Sequence, residues 1–438
     1  MGIFRWYRRI PLFYLNLGAF ALGCAAGLML YRFGLWKGQP AADRVIEVLS
    51  PFGMVLVNML KMIVIPIIFL SLVHGAASLP AKTFGKLGIS VCLWYFVTSI
   101  FAAIFGTGIA VAFDPELKAA RQLATPAMMS QVGSFNAAGV RGGNVLLNIV
   151  LNLFSNPFKA LAAGDFLPVI VFALLFGAAA RIALDNAENE YSARIVRQML
   201  ELFEAGLKVM FRIVGWVMAY FPIGIFALTA CNFGAYGFTL FHSYLQVALC
   251  VILGIALMIF VCYPAFIALF CRINPFPAMW AMREPILTAF VTRSSAATLP
   301  VSMDTAQNKL HIRRELSGFS LSLGATVNMD GVCIHLPVFA VLAANLFGFE
   351  LTLGQLFVMV LCVVFASVGA GGIPGGSIFL LFMVLDNLHL TPEQTALVIA
   401  LALGINPLLD MFETACNVAG DNVGTYIIGR RFGMIERQ

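Results

Sequence analysis

Charge is scarce in this chain. Asp, Glu, Lys and Arg make up 11% of its 438 residues, against about 25% in an ordinary soluble domain. That excludes a water-soluble globular fold. With 61% hydrophobic residues and a mean hydropathy of +0.92, it implies a polytopic membrane protein. The short alternating strands of an outer-membrane barrel are missing too, because the apolar runs are helix-length. Nine cysteines, an odd number, lie mostly within apolar runs, as at Cys24, Cys92, Cys250, Cys262 and Cys362. No disulfide framework follows. The five histidines, at 74, 242, 311, 335 and 389, are scattered. Neither Asp330 nor Asp410 has a suitable His or Cys partner by spacing, so no enzyme and no organic cofactor is expected. The glycine-rich run at 369–376 lacks the lysine and hydroxyl of a phosphate loop, which argues against an ATP-driven pump. The net charge of +6 does not imply nucleic acid. Much of the basic charge flanks apolar segments, where it sets orientation.

What is present is a series of membrane-length segments. The first runs from Pro11 to Tyr31, behind Arg5, Arg8 and Arg9, and reads as a retained span with a cytoplasmic N-terminus. A polar connector, Arg32 to Leu49, precedes a second span, Phe52 to Ala76. A third covers Leu87 to Phe113, followed by a polar stretch, Asp114 to Gly143. Asn156, Pro157, Gly164 and Asp165 break the apolar region Val145 to Ala180 into pieces. Arg181 to Arg197 reads as a charged connector and helix start. Spans at Leu200–Ala230 and Leu245–Phe270 follow. Arg430, Arg431 and Arg437 put the C-terminus on the cytoplasmic side as well, so the number of full crossings is even.

The last span, Thr391 to Gly429, carries Asn406, Asp410, Glu413, Thr414, Asn417 and Asp421. Their spacings of 4, 3, 1, 3 and 4 place all six on one helical stripe. Carboxylates at membrane depth are costly and face a protein interior or a watery path. The stripe therefore points to transport, with a buried structural network as the bland alternative. Three other segments are interrupted at their middles: Phe276–Met303 by TRSSAATLP, Gly318–Phe347 by GATVNMDG, and Leu351–Leu388 by GAGGIPGGS. The first and third suit re-entrant hairpins. Each is followed by a span with a polar centre, the pattern of an inverted repeat around a midplane site. Asn328, Asp330, Asn417 and Asp421 offer the oxygen ligands that a hard cation such as sodium requires. A satisfied polar core is the alternative for these four. His335, near that centre, reads as a packing or hydrogen-bonding residue, with a proton carrier as the other option.

TRSSAATLP, GATVNMDG, GIPGGS and LLDM followed by NVAGD resemble the motifs of the dicarboxylate/amino acid:cation symporters, the glutamate-transporter family, over nearly the whole length. The resemblance implies an all-α fold of eight transmembrane helices and two re-entrant hairpins. It implies homotrimers, an elevator-type motion and a multi-pass location, here most simply a bacterial inner membrane. A scaffold would comprise 11–76 and 134–232. A transport domain would comprise 87–113 and 241–430, with hairpins at 276–303 and 351–388 and spans at 316–347 and 391–429. Sodium is the implied co-transported ion. One site would use Asp421, Asn417 and the backbone of Gly324 and Asn328. A second would use Tyr95, Thr98, Ser99, Asn328 and Asp330. A third would use backbone near Thr326, Met329, Ser367, Val368 and Ala370. Leu336 stands where proton-coupled animal members carry a glutamate, so coupling through that position is not expected.

The implied substrate contacts are Asp410 for the α-ammonium, Ser294, Ser295 and Asn417 for the α-carboxylate, and Thr414 beside them. Arg293 braces the region. The gate at Gly372–Ser377 includes Ile373, Gly375 and Ser377. Departures follow. Acidic-substrate members carry arginine before the threonine, where this chain has Glu413; their supporting aspartate is Asn406 here, and a threonine is Val332. An arginine fork binds a second carboxylate, and an anion repels one. An amino acid with a neutral or basic side chain is therefore expected, sodium-coupled. Asn406 could donate to Glu413 along one face. Glu413 has three open readings: pairing with a cationic side chain, bonding a neutral polar one, or pairing internally with Arg293. An acidic amino acid anchored by Arg293, an exchanger, and an anion-conducting channel are the alternatives.

Overall fold

The computed structural model describes residues 12–32, 40–77, 85–113, 154–163, 166–348, 351–368, 375–386, 388 and 390–436. Those residues are helical almost throughout. In lipid no water satisfies backbone amides and carbonyls, so each crossing segment must bond internally. Eight stretches among the described residues are long and apolar enough to cross a membrane. The expected all-α polytopic architecture is therefore what the chain adopts.

The first group of helices is α1 (Leu12–Arg32), α2 (Pro40–Ala77), α5 (Phe166–Asp185) and α6 (Glu190–Tyr236). α6 packs along both α1 and α2, and α2 along α5. α2 begins at Pro40, inside the expected connector, and runs through Pro51 and Pro66. Proline suits the first turn, where its missing N–H has no partner to lose. α6 likewise takes in the later part of the expected charged connector, from Glu190, in one 47-residue helix. Asn189 starts it by accepting from the Ser192 amide at 2.8 Å, the ordinary N-cap bond. The short α4 (Pro157–Ala163) precedes α5; the expected break at Gly164 and Asp165 lies outside the described residues.

The second group surrounds the last helix. α3 (Gly85–Phe113) packs on α13 (Asp330–Phe347) and α14 (Leu353–Val368). α7 (Thr239–Leu257) passes through a π turn, Met258–Cys262, into α8 (Tyr263–Cys271). The first expected hairpin is α9 (Phe276–Ala281), α10 (Arg283–Thr292) and α11 (Ser295–Asp304), with its tip at Arg293–Ser294. The GATVNMDG span is two helices, α12 (Arg314–Val327) and α13, parted at Asn328–Met329. α14 and α15 (Gly376–Asp386) form the arms of the second expected hairpin. Its tip, 369–374, with the expected contacts Ala370 and Ile373, lies outside the described residues. α16 (Pro392–Arg431) is started by a Thr391–Gln394 capping box and touches α10, α12, α13 and α15. Residues 311–313 meet the chain end, where Arg313 N donates to Met434 O at 3.0 Å and Glu436 N to His311 O at 2.9 Å.

Candidate functional site

α16 carries its polar stripe into the protein. Asn406, Asp410, Glu413, Thr414, Asn417 and Asp421 are all buried. Two clusters and one side-chain pair form along it.

The lower cluster assembles where α12 and α13 part. The break frees Asn328 and Met329 from helical geometry and puts Asp330 at the start of α13. Thr98 donates to Asn328 Oδ1 at 3.3 Å and to the Tyr95 carbonyl at 3.1 Å. Ser99 donates to Asp330 Oδ1 at 3.3 Å and Tyr263 to Asp330 Oδ2 at 2.8 Å. The Asn328 amide donates to Asp421 Oδ1 at 3.0 Å. Gly324 makes the approach of Asp421 feasible. A Cβ there would collide with the Asp421 carboxylate and lie 2.8 Å from the Tyr95 hydroxyl, so a side chain would push the helices apart. Asn417 Oδ1 accepts from the Gly331 amide at 2.7 Å, and its amide donates to Met329 Sδ at 3.3 Å. The described partners of Asp330 and Asp421 are hydroxyls and an amide, none of them cationic. Two carboxylates buried among neutral dipoles could hold a cation, because an uncompensated buried charge costs several kcal/mol, of order 3–5.

Tyr95, expected at the second site, turns its side chain toward α12. Its hydroxyl lies on Ser320, 2.9 Å from the carbonyl and 2.8 Å from Oγ. Only its carbonyl turns toward Thr98. Ser320 meets Thr425 at 2.8 Å, and Thr425 donates to the Asp421 carbonyl at 2.7 Å. Thr425 continues the stripe one turn beyond Asp421, a signal the sequence did carry. Tyr263, which also reaches the Cys416 carbonyl at 3.2 Å, is a polar residue in an apolar span and gave no comparable signal. For the third expected site, Thr326 Oγ1 donates to Leu323 O at 3.0 Å and Ser367 Oγ to Val364 O at 2.7 Å. Val368 ends α14.

The upper cluster centres on Asp410. Its Oδ2 accepts from the Gly375 amide at 3.1 Å and faces Arg293 Nη1 at 3.8 Å. Arg293 takes a left-handed backbone, φ 54°, at the end of α10, and Ser294 then caps α11, its Oγ accepting from Ala297 N at 3.2 Å. Ser295 Oγ is buried and has no partner among the described residues. Thr414 donates to the Asp410 carbonyl at 2.7 Å. A narrow cleft is lined by Arg293, Gly375, Asn406 and Asp410 on one side and by Asn16, Met218 and Phe221 from α1 and α6 on the other. Val332 is buried on α13 nearby in sequence to Gly331.

Between the clusters, Glu413 crosses to α13 and contacts His335: Oε1 meets Nδ1 directly. Two of the contacts weighed from the sequence differ from those found among the described residues. Arg293 pairs with Asp410, not Glu413. Asn406 accepts from Ser377 Oγ at 3.3 Å, not serving Glu413. Residues seven apart lie about 10 Å apart along a helix axis, beyond direct reach, whereas Ser377 on α15 is adjacent.

A profile of the Sodium:dicarboxylate symporter family matches residues 12–431. The chain belongs to that family. Its relatives include the Neutral amino acid transporter B(0) of Bos taurus, 30% identical over 418 residues, covering 87% of this chain and 73% of the relative. The Proton/glutamate-aspartate symporter of Bacillus subtilis is 28% identical over 413 residues, covering 94% and 92%. Excitatory amino acid transporter 3 of Mus musculus is 27% identical, covering 86% and 78%. The symporter family thus spans relatives named for neutral and for acidic amino acids. Membership makes this chain a membrane transporter.

Proposed function

We propose that this chain performs sodium-coupled symport of an amino acid with a neutral or basic side chain, by an elevator alternating-access mechanism. The observation that carries it is the pair of buried carboxylates, Asp330 and Asp421, gathered with Asn328, Thr98 and Ser99 at a helix break. Dry oxygen ligands around a broken helix suit a dehydrated sodium ion. Sodium is cargo here. Asp330, Asn328, Ser99 and Thr98 would hold one ion, with Asp421, Asn417 and nearby backbone holding another. Asp410 would take the α-ammonium, with Ser294, Ser295, Thr414 and Asn417 around the α-carboxylate. The Gly375–Ser377 arm would close over the substrate.

The helix grouping supports a scaffold of 11–76 and 134–232 and a moving domain of 87–113 and 241–430. The cleft between Asp410 and α6 lies where those two parts would slide. A homotrimer in a bacterial inner membrane, with both termini cytoplasmic, completes the reading. Relatives named for neutral amino acids favour a non-acidic substrate. Arg293 lining the cleft favours a second reading, an acidic amino acid held by that guanidinium.

The test is uptake by liposomes containing the purified protein, with an inward sodium gradient or with potassium or choline in its place. Labelled aspartate, glutamate, serine, alanine, glutamine, arginine, lysine and cystine make the panel. Sodium-dependent accumulation of a neutral or basic member is the expected result. Strong aspartate or glutamate uptake would transfer the conclusion to the second reading.

A further inference from the structure

His335 is fully buried on α13, and Glu413 is buried on α16. Neither belongs to the cation cluster or to the Asp410 cleft lining. The imidazole is held on two sides: Nδ1 against Glu413 Oε1, and the ring edge-to-face on Phe339 at 4.8 Å and 66°. Nδ1, Nε2 and Oε1 have no aligned hydrogen-bond partner among the described residues, so the Nδ1–Oε1 approach is a bare contact. Two bare lone pairs repel at that range in a dry interior, so the arrangement calls for one proton shared by the pair. Whether it resides on nitrogen or oxygen, the pair as a whole is neutral.

The charged groups facing the pair are few. Asp410 is one turn earlier on α16, and Arg293 faces Asp410 at 3.8 Å. Arg293 and Asp410 cancel, and His335 and Glu413 cancel. A zwitterionic amino acid with an uncharged side chain preserves that balance. A lysine or arginine side chain adds a buried positive charge with no free counter-charge, and an acidic side chain adds a negative one. Either is penalised by desolvation.

We infer that His335 is a positioning residue that neutralises Glu413 and thereby makes the site select neutral over cationic amino acids. This rests on the transport reading above and narrows it.

The test uses the full chain in liposomes under a sodium gradient, comparing kcat/KM for labelled serine and lysine. Wild type is measured first. Sodium-dependent preference for serine is expected. Preference for lysine overturns the inference while leaving the transport reading standing, and absence of any sodium-dependent uptake overturns both. His335→Gln keeps a polar side chain but cannot supply the shared proton, so Glu413 is left charged. It should raise the lysine-to-serine ratio about tenfold or more. Glu413→Gln should keep serine preference, and His335→Gln with Glu413→Gln should return the ratio to within about threefold of wild type. His335→Lys restores the positive partner and should rescue serine preference. A purely structural role would lower both substrates in proportion with the ratio unchanged, and that result overturns the inference. If His335→Gln does not yield folded protein, Glu413→Gln and His335→Lys decide: loss of serine preference in either overturns it.

Discussion

α1 and the α12–α13 pair are both membrane-length, yet they meet their surroundings in opposite ways. In the apolar window of α1, 17% of residues are buried; in that of α12–α13, 94% are. α1 turns Leu22 and Met29 outward and is an unbroken helix. α12–α13 is wrapped by other helices and is broken at its centre. The difference shows where a membrane protein can afford polar backbone. A helix facing lipid must satisfy every amide itself, while one enclosed by protein can part and offer its carbonyls and carboxylates inward. Small residues serve both regions, but for different ends. A Cβ on Gly27 of α1 would lie 2.6 Å from the Ala230 carbonyl of α6, a packing constraint. Gly324 of α12 admits a carboxylate.

Substitutions can break that contrast. The largest effect should follow Asp330→Ala or Asp421→Ala: sodium-dependent uptake falls at least about 100-fold, as removal of a buried charge from a matched site does. Equal uptake by wild type and variant in the liposome assay would separate the cluster from coupling. Asp410→Asn should raise the substrate KM by about 10–100-fold while leaving sodium-induced thermal stabilisation of the purified protein in place. Retained KM would remove Asp410 from the substrate contacts.

Next come the two glycines. Gly27→Val should destabilise by about 1–3 kcal/mol, seen as a lower thermal midpoint with sodium dependence of uptake intact. Gly324→Ala should shift the apparent sodium affinity more than the midpoint. A reversed pattern would erase the distinction between the regions. The smallest effect belongs to Lys309→Ala, which removes an exposed contact of 2.5 Å to Glu284. Uptake should be unchanged and the midpoint should move by no more than about 2 °C. Lys309 holds the Glu284 carboxyl below its usual range by hydrogen bond and charge. The pair's contribution is therefore present at neutral pH and fades as pH falls through the carboxylate's folded-state range.

Much of this was legible in the chain. The α12–α13 break was marked by GATVNMDG, and the turn between α10 and α11 by TRSSAATLP. The stripe on α16 followed from spacing alone, because 3.6-residue periodicity needs no tertiary knowledge. Partners across helices were not legible. Glu413 was matched with a substrate side chain, with Asn406 on its own face or with Arg293, yet within the chain it meets His335 on another helix. Periodicity says which residues share a face and nothing about which helix that face meets. A helix end was misjudged where polar sequence continued a helix, as at Pro40, because a helix need not stop where apolarity does.

The π turn at Met258–Cys262 has a further consequence. It holds one residue more than a regular helix would over the same stretch. Tyr263, the next residue, reaches Asp330 and the Cys416 carbonyl. Winding the same residues as an ordinary helix would swing everything after them by about 100°, aiming another side chain at Asp330 while α7 stayed as it is. The phase of α8, and with it one of the hydroxyls on Asp330, is thus set by the winding of the single turn before it.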